Sequence, residues 1–136
     1  CGRVLHNDAA VYNEAFAGAD AVLCDVPCSG LGIIRKKPDI RYKNLKELEN
    51  LPALQLKILE TQASYVKPGG TLLYSTCTVL KRENEDVVSA FLEDHGEFTT
   101  EPLPLPEVFP KNETGMLTQK FARSLGMLAV DNQARV

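Results

Sequence analysis

Three side chains stand where their types and spacing could do chemistry: Asp25, Cys28 and Cys77. Cys28 and Cys77 sit among turn-forming and polar residues, in Pro27-Cys28-Ser29-Gly30 and Ser75-Thr76-Cys77-Thr78. Two readings of this pair stand open on the residues alone. Free cysteines are among the most buried residue types and serve as small hydrophobes. A reactive thiol instead needs a lowered pKa and access, and loop ends beside basic residues supply both. Cys24, inside an apolar run, reads as a buried small hydrophobe. With Cys1 these make four cysteines, too few for a disulfide scaffold. The Cys24-x-x-x-Cys28 spacing with a distant Cys77 is not a usual zinc pattern, so no metal is expected and reduced thiols are.

The elements that would position these groups follow from pattern. Ala21-Val22-Leu23-Cys24 is a short apolar run that reads as a buried strand ending at Asp25. Pro27, Gly30 and Gly32 break regular structure, so residues 26–34 form a loop at its C-terminal end. Pro52 suits the first turn of a helix. Ala53, Leu56, Leu59, Ala63 and Val66 follow at helical spacing, with a stop at Lys67-Pro68-Gly69-Gly70. Thr71-Leu72-Leu73-Tyr74-Ser75 is the next strand, and Cys77 lies just past it. Glu83, Glu85 and Asp86 open a second helix, where acidic residues favour the positive end of the dipole, and Val87, Val88 and Phe91 give it an apolar face. Phe98-Thr99-Thr100 reads as a short strand, and Pro102, Pro104, Pro106 and Pro110 mark an irregular loop. Alternating strands and helices imply a parallel sheet whose ligand sits beyond the C-terminal ends of the strands. Residues 21–25 and 71–75 are expected as adjacent parallel strands, which brings Asp25, Cys28 and Cys77 to one end.

The chain has 136 residues, 44% of them hydrophobic, and a net charge of −3. That size fits one domain with a core. No apolar run approaches the roughly 20 residues that span a bilayer, and no basic-then-apolar leader opens the chain, so a cytoplasmic protein without membrane contact is expected. Residue 1 is Cys, and Val4-Leu5 reads as the end of a strand already under way, so the chain is expected to be a piece of something longer. An acidic balance argues against nucleic acid, but Arg35, Lys36, Lys37, Arg41, Lys43 and Lys46 crowd one stretch with only Asp39 against them. Such a patch suits a phosphate backbone. On charge alone a solvated loop is the simpler account.

Asp25-Val26-Pro27-Cys28-Ser29-Gly30-Leu31-Gly32 resembles the Asp-Ala-Pro-Cys-Ser-Gly-x-Gly motif of the Nop/Sun family of RNA 5-methylcytosine methyltransferases. Tyr74-Ser75-Thr76-Cys77-Thr78 resembles that family's Thr-Cys motif. Ile34-Arg35-Lys36-Lys37-Pro38-Asp39-Ile40 and Glu83-Asn84-Glu85 are similar to the segments that follow each motif, and the likeness runs from about Val4 to Gly115. Within the family the sequence is most similar to the bacterial Sun type that methylates 16S ribosomal RNA.

The resemblance implies an α/β, Rossmann-like S-adenosylmethionine-dependent methyltransferase fold, incomplete because the N-terminal donor-binding half is missing. Residues 1–117 would be the C-terminal part of the catalytic domain, and residues 118–136 a divergent or truncated tail without the family's closing-strand pattern. It implies that Cys77 is the nucleophile, that Cys28 helps release the product, and that Asp25 contacts the cytosine ring nitrogen and borders the methyl donor. Asp8, in Asn7-Asp8-Ala9, resembles the acidic residue near the donor's adenine, and a turn Asp is the equal alternative. Arg35, Lys36 and Lys37 would bind RNA, and the protein would act as a monomer. A DNA cytosine-5 methyltransferase would lack a second catalytic cysteine on the next strand. A non-catalytic RNA-binding piece is the competitor from another class.

Overall fold

The computed structural model describes residues 2–101 and 127–132. β1 (Ala19–Asp25) leads through the basic loop to α1 (Leu51–Ala63) and then β2 (Val66–Ser75). α2 (Glu85–Asp94) follows, then β3 (Phe98–Glu101) and β4 (Met127–Asn132). The four strands form one sheet in the order β1-β2-β4-β3. β1 and β2 are adjacent and parallel, as the strand–helix–strand pattern requires, with Ala21 opposite Thr71 and Asp25 opposite Ser75. β4 runs antiparallel between β2 and β3. The stretch expected as a divergent tail thus supplies an inner strand. The proline-rich loop falls outside the described residues.

α1 and α2 pack together over one face of the sheet. That face buries Cys24, Leu72 and Tyr74 under Ile58, Leu59, Val87, Val88 and Phe91. Phe91 meets Phe98 edge-on, with ring centroids 5.2 Å apart. Alternation along a strand sends Leu23 to the other face, where it is 64% exposed. The apolar run of β1 is therefore buried on one side only, which corrects the reading of a strand covered on both faces. Val4 and Leu5 are exposed and form no strand.

Two further expectations move. α1 buries Gln55, Ile58, Leu59 and Ala63, while Ala53 is exposed. The inward face is rolled by about one residue so that Gln55, a polar side chain, points to the core. The helix ends at Ala63, and Lys67-Pro68-Gly69-Gly70 lies inside β2 rather than closing α1. Between Ala19 and Ala21 the partner residue jumps from Val66 to Thr71, so residues 67–70 of β2 bulge from the ladder.

Candidate active site at the ends of two parallel strands

Asp25 and Ser75 are the last residues of β1 and β2, and the Ser75 hydroxyl donates to Asp25 Oδ1 at 2.7 Å. The Val26 N–H donates to the Ser75 carbonyl at 3.2 Å, carrying the pairing one step past the strand. Beyond that point the two chains separate into loops. Each carries one of the two cysteines singled out from the sequence.

The loops bring the thiols into contact. Cys28 Sγ lies 2.9 Å from Cys77 Sγ, and the Cys77 N–H donates to Cys28 Sγ at 3.2 Å. Both thiols are free. Cys77 is exposed and Cys28 half-buried. Burial first, and the hydrogen bond with the Cys77 thiol second, push Cys28 up to about 11. Cys24, whose side chain is in the core, is pushed up to about 12 by burial and then by the Asp25 charge. The three thiols therefore have three settings, and only Cys28 and Cys77 face one space.

That space is a cavity of ≈ 750 Å³ lined by Asp25, Cys28, Cys77, Lys37, Asp39 and Lys43 among others. Two carboxylates, two thiols and two ammonium groups converge on a volume large enough for a nucleobase and its phosphate. Lys37 is the member of the Arg35, Lys36 and Lys37 set that lines it, while Arg35 and Lys36 are exposed nearby in sequence. Lys43 donates to the Ser29 carbonyl at 3.2 Å, which holds its ammonium beside the Cys28 loop.

Asp8 is not among the residues lining this cavity. Its Oδ1 accepts from the Ala10 N–H at 2.9 Å and closes a turn. Its neighbours Asn7 and Ala9 line a separate cavity of ≈ 360 Å³ with Ala19 and Tyr65, at the start of β1. Among the described residues there is no group of His, Cys, Asp and Glu that could hold a metal ion, and no helix is long and apolar enough to cross a membrane.

Four residues around the cysteine loops are not legible in the sequence as site residues. Lys43 stands there only as one charge of a patch. Gln55, Glu83 and Asn84 are buried polar residues directly behind the loops. By pattern Glu83 reads as one of the acidic residues opening α2. It ends the short 3-10 turn Lys81–Glu83 instead, fully buried. Gln55 carries no such signal either, because the helical spacing puts the inner face on Ala53, Leu56 and Leu59 and leaves Gln55 off it.

Comparison with known proteins bears on the family and the fold. The profile of the family described as 16S rRNA methyltransferase RsmB/F matches residues 2–124. Ribosomal RNA small subunit methyltransferase B of Shewanella oneidensis is 46% identical over 93 residues, covering 66% of this chain and 22% of that protein. Ribosomal RNA small subunit methyltransferase F of Salmonella paratyphi A is 40% identical over 121 residues, covering 87% of this chain and 25% of that protein. The chain thus spans a quarter or less of the length of these two relatives. Among solved structures, that of PH0851 superposes with a TM-score of 0.68 at 31% identity, covering 93% of this chain and 29% of its own. NSun6 from Pyrococcus horikoshii, solved with SFG, gives a TM-score of 0.68 at 21% identity, covering 98% of this chain and 35% of its own, and speaks for the fold. The architecture is part of a Rossmann-like, S-adenosylmethionine-dependent methyltransferase. With its profile matched over nearly all of its length, the chain belongs to the RsmB/F family of 16S ribosomal RNA methyltransferases.

Proposed function

We propose that this chain carries the catalytic thiols of an enzyme that methylates carbon 5 of a cytosine in RNA, in 16S ribosomal RNA as its substrate, through a covalent cysteine adduct. The observation that carries the reading is the 2.9 Å approach of Cys28 and Cys77 beside the Asp25 carboxylate in one cavity. Two thiols with different surroundings suit a reaction that needs one to attack and one to assist release.

Carbon 5 of cytosine is a poor nucleophile. Addition of the Cys77 thiolate at carbon 6 makes carbon 5 enamine-like. When bound, the methyl donor would supply an electrophilic methyl on a cationic sulfur for carbon 5 to take, the carbon–sulfur bond breaking so that the sulfur leaves as a neutral thioether. Asp25, at the mouth of β1, is read as the contact to the ring nitrogen, where a carboxyl can share the proton that offsets the negative charge pushed onto the ring as the adduct forms, and as the border of the donor side. The carbon 5 proton then leaves toward Cys28, the carbon 5–carbon 6 double bond re-forms, and Cys77 is expelled as thiolate. Burial pushes Cys28 up to about 11, which keeps it a thiol at neutral pH, so its own proton must first pass to water before its sulfur can take the one from carbon 5. Lys37 and Lys43, with Arg35 and Lys36 on the same loop, meet the phosphates. Asp8 is proposed to lie toward the donor's adenine. The enzyme is read as a cytoplasmic monomer.

The chain spans a quarter or less of the two relatives compared above, which favours a second reading: by itself this segment binds RNA without turnover. The experiment therefore uses the intact enzyme. Labelled RNA and S-adenosylmethionine are mixed with Cys77→Ala or Cys28→Ala protein and run on a denaturing gel. Cys77→Ala is expected to give neither product nor adduct. Cys28→Ala is expected to attack, methylate and then accumulate a covalent protein–RNA complex. If Cys77→Ala traps RNA and Cys28→Ala does not, the roles are reversed. If both variants keep full activity and neither traps, the thiols are structural and the proposal is wrong.

A further inference from the structure

Strand pairing does not place the two thiols, because both loops begin beyond the last paired residues, Asp25 and Ser75. One dipeptide, at the junction between the Lys81–Glu83 turn and α2, reaches both loops. Glu83 holds the first. Its Oε2 accepts from the Ser29 N–H at 2.8 Å and from Gln55 Nε2 at 3.1 Å, and the same Gln55 nitrogen donates to the Pro27 carbonyl at 2.9 Å. Cys28 is thereby held on both sides, through the carbonyl before it and the N–H after it. Asn84 holds the second loop. Its Oδ1 accepts from the Thr76 hydroxyl at 2.7 Å, and its Nδ2 donates to the Thr78 carbonyl at 3.3 Å and the Leu80 carbonyl at 2.9 Å. Cys77 is likewise held through the residues on either side of it.

Stability is a poor reason for this arrangement. Glu83 is 0% exposed and Asn84 5%. Burying a carboxylate is costly unless it is well bonded, and well-packed apolar replacements of buried ionic groups are often neutral or stabilising. Glu83 Oε1 and Gln55 Oε1 have no hydrogen-bond partner in the protein, so the site is not even fully compensated. What the two side chains do achieve is geometric. Adjacent residues on one rigid turn fix two separate loops, and Tyr74, fully buried in β2, donates from its hydroxyl to the Glu83 carbonyl at 2.8 Å and anchors that turn to the sheet.

We infer that Glu83 and Asn84 form a clamp that sets the separation and facing of the Cys28 and Cys77 sulfurs, with Glu83 the positioning residue for the first loop. The consequence for methyl transfer rests on the function proposed above. The geometric half does not, and can be measured without turnover.

The probe is oxidised glutathione. One protein thiolate displaces glutathione thiolate to form a mixed disulfide, and the second thiolate attacks it, releasing another glutathione thiolate and leaving a Cys28–Cys77 disulfide. The rate of that second, intramolecular step reports how well the sulfurs face each other. In the intact protein, Glu83→Ala is expected to slow it about tenfold or more, the order expected when pre-oriented groups are loosened. Glu83→Gln keeps a carbonyl oxygen for the Ser29 N–H and is expected to stay within about twofold of the parent. In turnover, Glu83→Ala is expected to lower kcat about 100-fold while KM for RNA moves less than about threefold, because a misplacement near 1 Å costs about that much.

A folded Glu83→Ala protein that closes the disulfide at the parent's rate overturns the inference, even if its melting temperature falls. If the alanine variant does not fold, Glu83→Asp decides, since it keeps the charge but is too short to reach the Ser29 N–H. Slow closure supports the clamp and unchanged closure overturns it. Slow closure in a protein that never methylates RNA keeps the clamp and removes the proposed function. Normal closure and normal kcat in Glu83→Ala, with an active parent, removes the clamp and keeps the function.

Discussion

The Ser29 hydroxyl lies 2.7 Å from the Thr78 hydroxyl, both fully buried, and each follows one of the two facing cysteines by a single residue. This bond ties the loops to each other directly beneath the thiols. It also explains why the residue after each cysteine is a small hydroxyl amino acid. A hydroxyl both donates and accepts, so either of the two can donate to the other, and Thr78 Oγ1 also accepts from the Leu80 N–H at 3.3 Å. The thiols above are held at contact distance while lining the cavity, which suits the proposed reaction, in which one sulfur bonds the base and the other takes its carbon 5 proton.

Gly32 is where the loops touch again, and it leaves no room for a side chain. Its N–H donates to the Cys77 carbonyl at 3.0 Å, and a Cβ added there would stand 2.8 Å from that carbonyl oxygen. Gly32→Ala is therefore expected to push the Cys77 loop outward while the core stays intact. Turnover by the intact enzyme should fall on the order of 100-fold, with a melting temperature close to the parent's. Equal loss of stability and activity would mean that the loop is a folding element and not a positioned one.

The basic segment makes a separable prediction. Lys37 and Lys43 line the cavity, and Arg35 and Lys36 stand exposed on the same loop. Replacing Arg35, Lys36 and Lys37 together by alanine should weaken RNA binding. The slope of log affinity against log salt should flatten by about 0.7 for each phosphate of single-stranded RNA that the protein no longer neutralises. Lys43→Ala should weaken binding further. An unchanged slope in the triple variant would return the patch to a solvated loop.

Much of this fold could be read from the chain because its signals are local. The β1 run, the Thr71–Ser75 run and the Val87, Val88 and Phe91 face each carry their own period, and the parallel pairing follows from the helix between the strands. The meeting of Cys28 and Cys77 was legible through their places past two strand ends. The residues that hold them were not. Gln55 and Glu83 look like surface residues because burial of a polar group depends on partners distant in sequence, here Pro27 and Ser29. β4 is illegible for a related reason. Met127–Asn132 is a strand only by virtue of lying between β2 and β3, and nothing in its composition announces that position.

The buried thiols give stability a dependence on alkaline pH. Cys24 is pushed up to about 12 and Cys28 to about 11 by burial, against roughly 8.5 for a free thiol in an unfolded chain. A thiol with a raised folded value keeps its proton where the unfolded chain has lost it. Its contribution is complete below about pH 8.5 and is lost as pH rises toward the folded values. Urea midpoints should therefore fall steadily from about pH 8.5 to 11. Cys24→Ala should lower the midpoint throughout but flatten this decline, because the most strongly shifted thiol is gone. A decline of the same steepness in Cys24→Ala would assign the effect to other groups.

The bulge in β2 separates two costs that a glycine can avoid. Gly69 has φ +77°, a backbone setting that favours glycine, and a Cβ there would meet nothing within 4 Å. Gly69→Ala therefore carries only the conformational cost of left-handed backbone, about 1–2 kcal/mol. Gly70 has an ordinary φ, but its Cβ would lie 2.8 Å from Val66 Cγ1, 2.9 Å from the Asp20 carbonyl oxygen and 3.0 Å from that of Lys67. Two of those atoms are backbone and cannot rotate away. The Asp20 carbonyl belongs to β1, so Gly70→Ala must pry β1 from β2 where their register shifts. Overpacking of this kind costs about 1–3 kcal/mol and sometimes more. Urea denaturation should rank Gly70→Ala as the more damaging change. Gly70→Ala should also loosen hydrogen-exchange protection along β1, whereas Gly69→Ala should leave it near the parent's. The opposite ranking would mean that the bulge opens to accept a methyl group, and that the strand pairing carrying Asp25 to the active site does not depend on close contact there.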